Sequence, residues 1–294
     1  MQTKDLSEIH QLIGDLFPAL DAKTAWERYR LSDEQVDLFR ENGYLSHIQL
    51  LDDGQIKQLR AELNEIMQSE HPKHHLFYEF HSNESEDTNT VLFHALGHWR
   101  MTIGFHDILW NPRFVVAAAQ LLGNRAVRFW HDQVFYKPPQ HGGVVAWHQD
   151  YSYWTRTVPM QHLTCWMGLD DANEDNGCLQ YIPGSHRWNL LDRTNLAGDM
   201  DGLARFLTPE QKKQFDQKVA IEMPAGYATF HHPLLVHGSY ANRSSRARRA
   251  LVLNVFADHT RSDTNEELLA NVPIITKGDL MQGQFFPLLY QPPV

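Results

Sequence analysis

The segment Val144-Val-Ala-Trp-His-Gln-Asp-Tyr-Ser-Tyr-Trp154 follows two glycines and opens with β-branched and aromatic residues, which favour a strand. Runs of the same kind lie on both sides of it, and Gly, Pro or Asn separates each run from the next. Short strands punctuated in this way are typical of a β-sandwich or jelly roll. The predicted strands are 126–136, 144–149, 161–169, 178–182, 218–223, 226–231, 234–240 and 247–257.

The chain before these strands has a helical pattern. Ser32 is a good N-cap for a helix that Gly43 ends, and Asp52 begins a second helix whose apolar residues recur at helical spacing. A short strand, 44–51, is predicted between these two helices. Pro112 opens a third helix, which runs to Leu122. These helices are expected to pack on an outer face of the β-structure.

The pattern as a whole predicts a single domain over residues 1–294. We expect a mostly helical flank over 1–125, a β-core over 126–258 and a C-terminal tail over 259–294. The core is interrupted by a polar insertion at 188–215, whose end around 209–215 is helical, and such insertions often cover active sites. The polar, histidine-rich stretch 71–89 has no clear period and is expected to form a surface loop or lid.

Composition narrows the classes of function. Hydrophobic residues make up 42% of the chain and charged residues 21%, the balance of a globular protein with a sizeable core. The net charge of −10 disfavours nucleic acid and anionic membranes as partners. The two cysteines, Cys165 and Cys178, lack a metal-site spacing and are expected to be free thiols. No apolar leader or span is present, so we expect a cytoplasmic protein; its oligomeric state stays open.

The pair His148 and Asp150 is the first indication of chemistry. Side chains two apart on a strand project from one face, so these residues can present an imidazole and a carboxylate to one metal ion. So short a pattern recurs by chance, and a third ligand is needed to support it. The segment His231-His-Pro-Leu-Leu-Val-His237 offers three histidines. We favour His237, which follows an apolar run and precedes a turn, with His231 and His232 in supporting or structural roles.

Two histidines and a carboxylate that leave one face of an octahedron open form the ligand set of non-haem iron oxygenases. Arg248 comes eleven residues after His237, and we expect the two to face each other across a hairpin. A guanidinium fork beside such a site can hold the distal carboxylate of 2-oxoglutarate through two parallel bonds, which lysine cannot match. Arg249 points to the opposite face and is the alternative.

Four stretches together resemble the phytanoyl-CoA dioxygenase family of iron(II)/2-oxoglutarate oxygenases, in order and in spacing, over roughly residues 32–258. They are Trp147-His-Gln-Asp150, Leu163 to Leu179, Ile182-Pro-Gly-Ser-His186, and His237-Gly-Ser239 followed by Arg248. The resemblance implies a mainly β protein with a double-stranded β-helix, or jelly roll, and flanking N-terminal α-helices.

The same resemblance implies roles for named residues. His148, Asp150 and His237 would bind Fe(II), and Arg248 and Ser239 would hold the far carboxylate of 2-oxoglutarate, with O2 as the oxidant. Further residues fall where the family has a neighbour of the co-substrate or a polar contact with it: Trp166, Gln133 and Lys137. The carboxylate ligand favours hydroxylation, since related halogenases lack it.

The substrate is a small molecule whose identity the sequence does not give. Four aromatic residues flank the ligands and can line an apolar pocket, although core packing is expected for at least half of them: Trp147, Tyr151, Tyr153 and Trp154. We do not carry over a CoA ester, because no basic site for one is evident. Two alternatives are a zinc hydrolase or cupin-like isomerase, and a jelly-roll binding module without catalysis.

Overall fold

The computed structural model of the chain describes residues 4–68 and 70–293. Antiparallel strands form its centre. In chain order they are β1 (Tyr44–Gln49), β2 (Glu79–His81), β3 (Phe93–Leu96), β4 (Val127–Lys137), β5 (Val145–His148), β6 (Thr157–Val158), β7 (His162–Gly168), β8 (Leu179–Tyr181), β9 (Val219–Ile221), β10 (Tyr227–His231), β11 (His237–Ser239), β12 (Arg248–Ala257), β13 (Arg261–Ser262) and β14 (Leu288–Tyr290).

The α-helices lie mainly before β4. They are α1 (Ala22–Tyr29), α2 (Asp33–Asn42), α3 (Asp53–Ile66), α4 (Ile103–Asp107), α5 (Pro112–Leu121), α6 (Tyr151–Trp154) and α7 (Pro209–Phe215). Capping boxes with Ser32 and Asp52 begin α2 and α3, because each side chain accepts a bond from the N3 backbone and the N3 glutamine returns one. Gly43 ends α2 in the left-handed conformation, with a φ of 81°.

Two sheets enclose the functional region. The larger runs β1-β10-β7-β12-β4-β3-β2, with β14 beside β4, and the smaller runs β5-β11-β8-β9. Apolar side chains of both sheets pack together between them, including Trp166 and Val252 from the larger and Leu179 and Tyr181 from the smaller. This is the jelly roll that the resemblance implied. The helices α3, α4 and α5 pack in the main core on the other face of the larger sheet.

The strand predictions are confirmed to within one or two residues at most ends, and so are the helices that begin at Ser32, Asp52 and Pro112. Three details differ. The run 234–240 is a strand only at β11, since the chain turns at Pro233 and Leu234 and has no regular structure at 235–236. The stretch 71–89 contains β2 and is not loop throughout. The tail 259–294 adds β14 to the larger sheet.

Both cysteines are free and buried, as predicted. Within the described part of the chain, no helix has the length and apolar character needed to cross a lipid bilayer.

Candidate active site

The three expected metal ligands lie together although they come from different elements. His148 ends β5, and His237 begins β11 directly opposite it in the smaller sheet. Asp150 lies two residues past β5, where the backbone turns into α6 with a φ of −57°. One ligand atom from each residue lies within 4.8 Å of the others. The prediction that Asp150 is on the strand is therefore wrong, because the chain has already left β5, but the convergence holds.

Backbone carbonyls orient both imidazoles. Nδ1 of His148 lies 2.7 Å from the Ala146 oxygen, and Nδ1 of His237 lies 3.0 Å from the Leu235 oxygen. Each Nδ1–H donates to its carbonyl, so that Nε2 keeps a free lone pair. The two Nε2 atoms lie 3.4 and 3.6 Å from Oδ1 of Asp150. Two nitrogen donors and one oxygen donor thus face one point.

The second carboxylate oxygen of Asp150 is held from behind. The Thr164 hydroxyl donates to Oδ2 at 2.5 Å, and Nε2 of His231 lies 3.0 Å from the same atom. His231 is fixed in turn by Tyr181, whose hydroxyl lies 2.9 Å from Nδ1. The supporting role expected for His231 is what the geometry shows, whereas the His232 ring accepts from the Leu234 backbone N–H. This support leaves Oδ1 free to face the two Nε2 atoms.

The electrostatics suit a cation at this point. Burial alone would raise the pKa of Asp150, but His237, His148 and His231 hold it well below its usual range. Burial and the neighbouring His148 lower the pKa of His237. The site therefore offers an ionised carboxylate and a neutral imidazole at physiological pH, which are the forms that bind metal.

Rows of neighbouring side chains on β7, β12 and β4 of the larger sheet form one wall of a cavity of about 600 Å³, and the three expected ligands line the same cavity. In the first row Thr164 and His131 flank Asn254 on the two neighbouring strands. In the next row Trp166 and Gln133 flank Val252 in the same way. All six residues line the cavity, since alternate residues of a strand share one face.

Arg248 lies at one end of this cavity and is 1% exposed. Its Nη2 donates to the Gly177 oxygen at 2.9 Å, its guanidinium lies 5.5 Å from the centre of the Trp166 ring, and its Nε has no hydrogen-bond partner among the described residues. Burial lowers the pKa of Arg248 to about 10, so it remains charged at neutral pH. A buried cation with an unused donor suits an incoming carboxylate.

Arg248 and His237 do not face each other across a hairpin, contrary to our expectation. The first is in the larger sheet and the second in the smaller, so they approach across the cavity instead. Arg249, the alternative, points away and pairs with Asp170, with Nε and Nη2 each 2.8 Å from a carboxylate oxygen. Only Arg248 of the two lines the cavity.

Ser239 lines the cavity beside Arg248, and Lys137 lies behind it. Lys137 is fully buried, and its Nζ donates to the Ser239 hydroxyl at 2.7 Å and to the Tyr240 carbonyl at 2.6 Å. Burial and the nearby Arg248 lower the pKa of Lys137. Because the Ser239 oxygen accepts from Lys137, its own hydrogen is free to point into the cavity. Lys137 is thus placed to orient Ser239, whereas Trp166 and Gln133 line the cavity themselves.

Of the four aromatic residues that flank the expected ligands, two line the cavity and two pack in the core. Tyr153 and Trp154 line the cavity, whereas Trp147 and Tyr151 pack in the core. The insertion 188–215 reaches the cavity through residues 193–196 and is hydrogen-bonded to β5, the strand that ends at His148. The Ala146 N–H donates to the Leu196 oxygen at 2.7 Å, which supports the expectation that the insertion covers the site.

Sequence reasoning missed several lining residues: Thr164, His131, Asn254, His94 and Arg193. Thr164, His131 and Asn254 carry a recognisable signal, because each is a polar side chain at a cavity-facing position within an otherwise apolar strand. His94 lies on β3 and Arg193 in the insertion 188–215, and no periodicity marks either of them. The His-rich stretch 71–81 does not form a further metal cluster among the described residues.

The family model described as Phytanoyl-CoA dioxygenase (PhyH) matches residues 39–250. The chain belongs to the phytanoyl-CoA dioxygenase family. As a member it is a 2-oxoglutarate-dependent dioxygenase, with Fe(II) as its cofactor and 2-oxoglutarate and O2 as its co-substrates. The donor set fits this chemistry, because two imidazoles and a carboxylate suit Fe(II) and Arg248 keeps an unused donor.

A phytanoyl-CoA dioxygenase of Arabidopsis thaliana is 28% identical to the chain over 255 residues, which cover 76% of this chain and 88% of that protein. Two crystal structures share the fold with a TM-score of 0.71 each. One is the non-heme alpha ketoglutarate dependent carbocyclase SnoK from nogalamycin biosynthesis, at 22% identity over 92% of this chain and 100% of that chain. The other is the epimerase SnoN in complex with Fe3+, alpha ketoglutarate and nogalamycin RO, at 21% identity over 90% of this chain and 99% of that chain.

Proposed function

We propose that this dioxygenase hydroxylates an unactivated C–H bond of a small organic molecule and releases succinate and carbon dioxide from 2-oxoglutarate. One observation carries the proposal: two free Nε2 atoms and a carboxylate oxygen converge in the same cavity as a buried arginine with an unused donor. A metal site alone would fit many reactions. The added arginine favours a carboxylate co-substrate and argues against a zinc hydrolase.

His148, Asp150 and His237 would hold Fe(II), and the ligand set leaves positions for co-substrate and oxygen. Bound iron with 2-oxoglutarate supplies the oxidising power for the reaction. The protein keeps Asp150 ionised and oriented, so the carboxylate occupies a ligand position that a halide would need. That supports hydroxylation over halogenation.

Arg248 would hold the distal carboxylate of 2-oxoglutarate, and the Ser239 hydroxyl would donate to the same group. Lys137 would act through Ser239, because its Nζ donates to the Ser239 hydroxyl and holds that side chain in place. Trp166 would pack against the co-substrate, and Gln133 would contact it or orient His94, whose Nε2 lies 3.0 Å from the Gln133 oxygen.

The solved structures that share this fold do not share one reaction outcome. SnoK is a carbocyclase and SnoN an epimerase by their descriptions, so one jelly roll serves several outcomes. The carboxylate of Asp150 argues against halogenation, and hydroxylation stays our proposal among the remaining outcomes. The absence of nucleic-acid and membrane partners and the cytoplasmic location stay predictions.

The test is succinate formation from 2-oxoglutarate under air, measured with Fe(II) and with Zn(II). We expect oxygen-dependent succinate with Fe(II), even without substrate, and none with Zn(II). Asp150→Ala should abolish this turnover while its circular dichroism spectrum stays that of the unchanged protein. Full activity of Asp150→Ala, or turnover with Zn(II), would refute the assignment.

A further inference from the structure

A second group of polar side chains lines the cavity away from Arg248 and takes no part in holding the metal or co-substrate. It consists of Trp130, His131 and Asn254, which are at most 3% exposed. Asn254 Oδ1 and Trp130 Nε1 have no hydrogen-bond partner among the described residues. A buried polar atom left unpaired destabilises the folded protein, so two such atoms in one cavity wall point to a ligand.

A β-bulge explains how adjacent residues of β4 come to line the same cavity. Asn254 of β12 lies opposite His131, but Val255 lies opposite Phe129, which leaves Trp130 as the extra residue. Bulges of this kind turn a side chain toward a site that the regular pleat would deny it. The indole and the imidazole rings lie 5.2 Å apart as a result.

The group is specific in its hydrogen-bonding capacity. Nδ2 of Asn254 lies 3.3 Å from Nδ1 of His131, and Oδ1 of the same amide is the acceptor left without a partner among the described residues. Burial lowers the pKa of His131 to about 3, so the ring is neutral and carries no charge to attract an ion. Trp130 Nε1–H is a donor only. The group therefore offers one donor and one acceptor, both neutral.

We propose that Trp130 and Asn254 form a subsite for an uncharged hydroxyl group of the substrate, which would accept from the indole and donate to the amide oxygen. This rests on the proposed function, since it names the substrate class of the same cavity. A carboxylate would be repelled by the amide oxygen, and an ammonium group cannot accept from the indole. A methyl ether can accept but cannot donate.

The position of the subsite connects it to the reacting centre. Asn254 lies opposite Thr164 on β7, and Thr164 donates to Asp150. Side chains opposite each other on antiparallel strands have Cβ atoms about 4.5–5.5 Å apart. A hydroxyl held at Asn254 would therefore lie close to the metal, and the oxidised carbon would lie near the carbon that bears this hydroxyl.

The rest of the cavity suits an apolar body. Trp154, whose ring centre lies 5.7 Å from that of His131, lines it together with Leu268 and Leu269. The charged side chains farther out have contacts of their own. Arg193 lies over the Tyr153 ring at 4.6 Å, Arg156 donates to the Glu267 carbonyl at 2.6 Å, and Glu84 lies 2.8 Å from His94. The substrate class is thus an apolar small molecule that carries a hydroxyl.

Four probes that share one apolar body test this subsite: decahydro-2-naphthol, its methyl ether, decahydro-2-naphthoic acid and decahydro-2-naphthylamine. Their affinities are measured by ligand-observed NMR on the full chain loaded with Zn(II) and 2-oxoglutarate, so that no turnover occurs. We expect the alcohol to bind at least about tenfold more tightly than the other three, the value of one hydrogen bond. Trp130→Phe and Asn254→Leu should each remove most of this preference.

Trp110→Phe is the matched control, because Trp110 lies outside the cavity and loses the same indole N–H. It should keep the preference for the alcohol. The subsite is refuted if the alcohol shows no preference or does not bind, if an ionic probe binds best, or if the preference survives both variants. Iron-dependent succinate formation by the unchanged protein is measured in parallel. Succinate without alcohol preference refutes the subsite alone, and preference without succinate refutes the proposed function alone.

Discussion

The two oxygens of the Asp150 carboxylate have different partners, one facing the imidazoles and the other held by Thr164 and His231. Thr164→Val removes one of the two supports with little change in volume. We expect Fe(II) affinity to fall about 10- to 100-fold, because residues that orient a metal ligand have effects of this size. Anaerobic titration of the apoprotein with Fe(II) measures it.

Thr102→Val is the control for that variant. The Thr102 hydroxyl has no hydrogen-bond partner among the described residues, so the same change loses no bond there. It should bind Fe(II) like the unchanged protein. Equal affinities for both variants would show that Thr164 does not orient the ligand.

Arg248→Lys keeps the charge but removes the guanidinium fork. We expect the KM for 2-oxoglutarate to rise roughly 10- to 100-fold with kcat little changed, the loss of one charge-assisted bond of about 1.5–3 kcal/mol. Steady-state succinate formation measures both constants. Arg249→Lys is the matched control on the opposite face of β12, and its KM should not change. An equal rise in the two variants would contradict the role of Arg248.

The convergence of His148, Asp150 and His237 could be predicted at this scale because their spacing and order are local features of the sequence. The position of Lys137 could not, because only the packing of β4 against the turn after β11 shows that its Nζ contacts Ser239 and not the cavity. Asn254 and His131 were missed for a related reason. The bulge that brings Trp130 beside them is a register shift between two distant strands.

At the scale of elements, the segment 5–14 is held to the helical layer by two carboxylates. Asp107 accepts from the backbone N–H groups of Ile13 and Gly14, at 3.0 and 2.7 Å, and Asp5 pairs with Arg100 at 2.5 Å. Burial alone would raise the pKa of each carboxyl, but hydrogen bonds from His106 to Asp107 and from Arg100 to Asp5 leave both below the ordinary 3.8.

A carboxyl group whose pKa is lower in the folded state stabilises the fold fully at pH values above its pKa in the unfolded chain. This contribution is lost as the pH falls through its pKa in the folded state. We therefore expect segment 5–14 to stay attached from neutral pH down to about pH 4 and to detach below it. Hydrogen exchange of peptides from this segment, corrected for intrinsic rates, measures the change, with β12 peptides as the control. Detachment well above pH 4, or at the same pH as loss of β12, would contradict this anchoring.

Strand positions were predictable because glycine, proline and asparagine separate the runs locally. The pairing of β1 with β10 and of β14 with β4 was not, since both bring distant parts of the chain to the sheet. The prediction of a loop over 71–89 was wrong where β2 pairs with β3. The sequence did not indicate this strand, because an edge strand need not show apolar alternation.

At the scale of the whole molecule, the ligands bind only the folded chain and should stabilise it. Mn(II) and 2-oxoglutarate at about 100 times their dissociation constants should add about 2.7 kcal/mol per site and raise the Tm by roughly 5–10 °C. Scanning calorimetry of the unchanged protein and of His148→Ala tests this. The variant should show little shift, and a shift of equal size in both proteins would place the ion elsewhere.

The central claim is that His148, Asp150 and His237 share one ion while Arg248 holds the co-substrate. A crystal structure of the protein with Mn(II) and 2-oxoglutarate, grown without substrate, tests it most directly. We predict an ion about 2.1 Å from both Nε2 atoms and from Oδ1 of Asp150, with a co-substrate carboxylate on the Arg248 guanidinium. An ion bound at other residues, or 2-oxoglutarate away from Arg248, would contradict the claim.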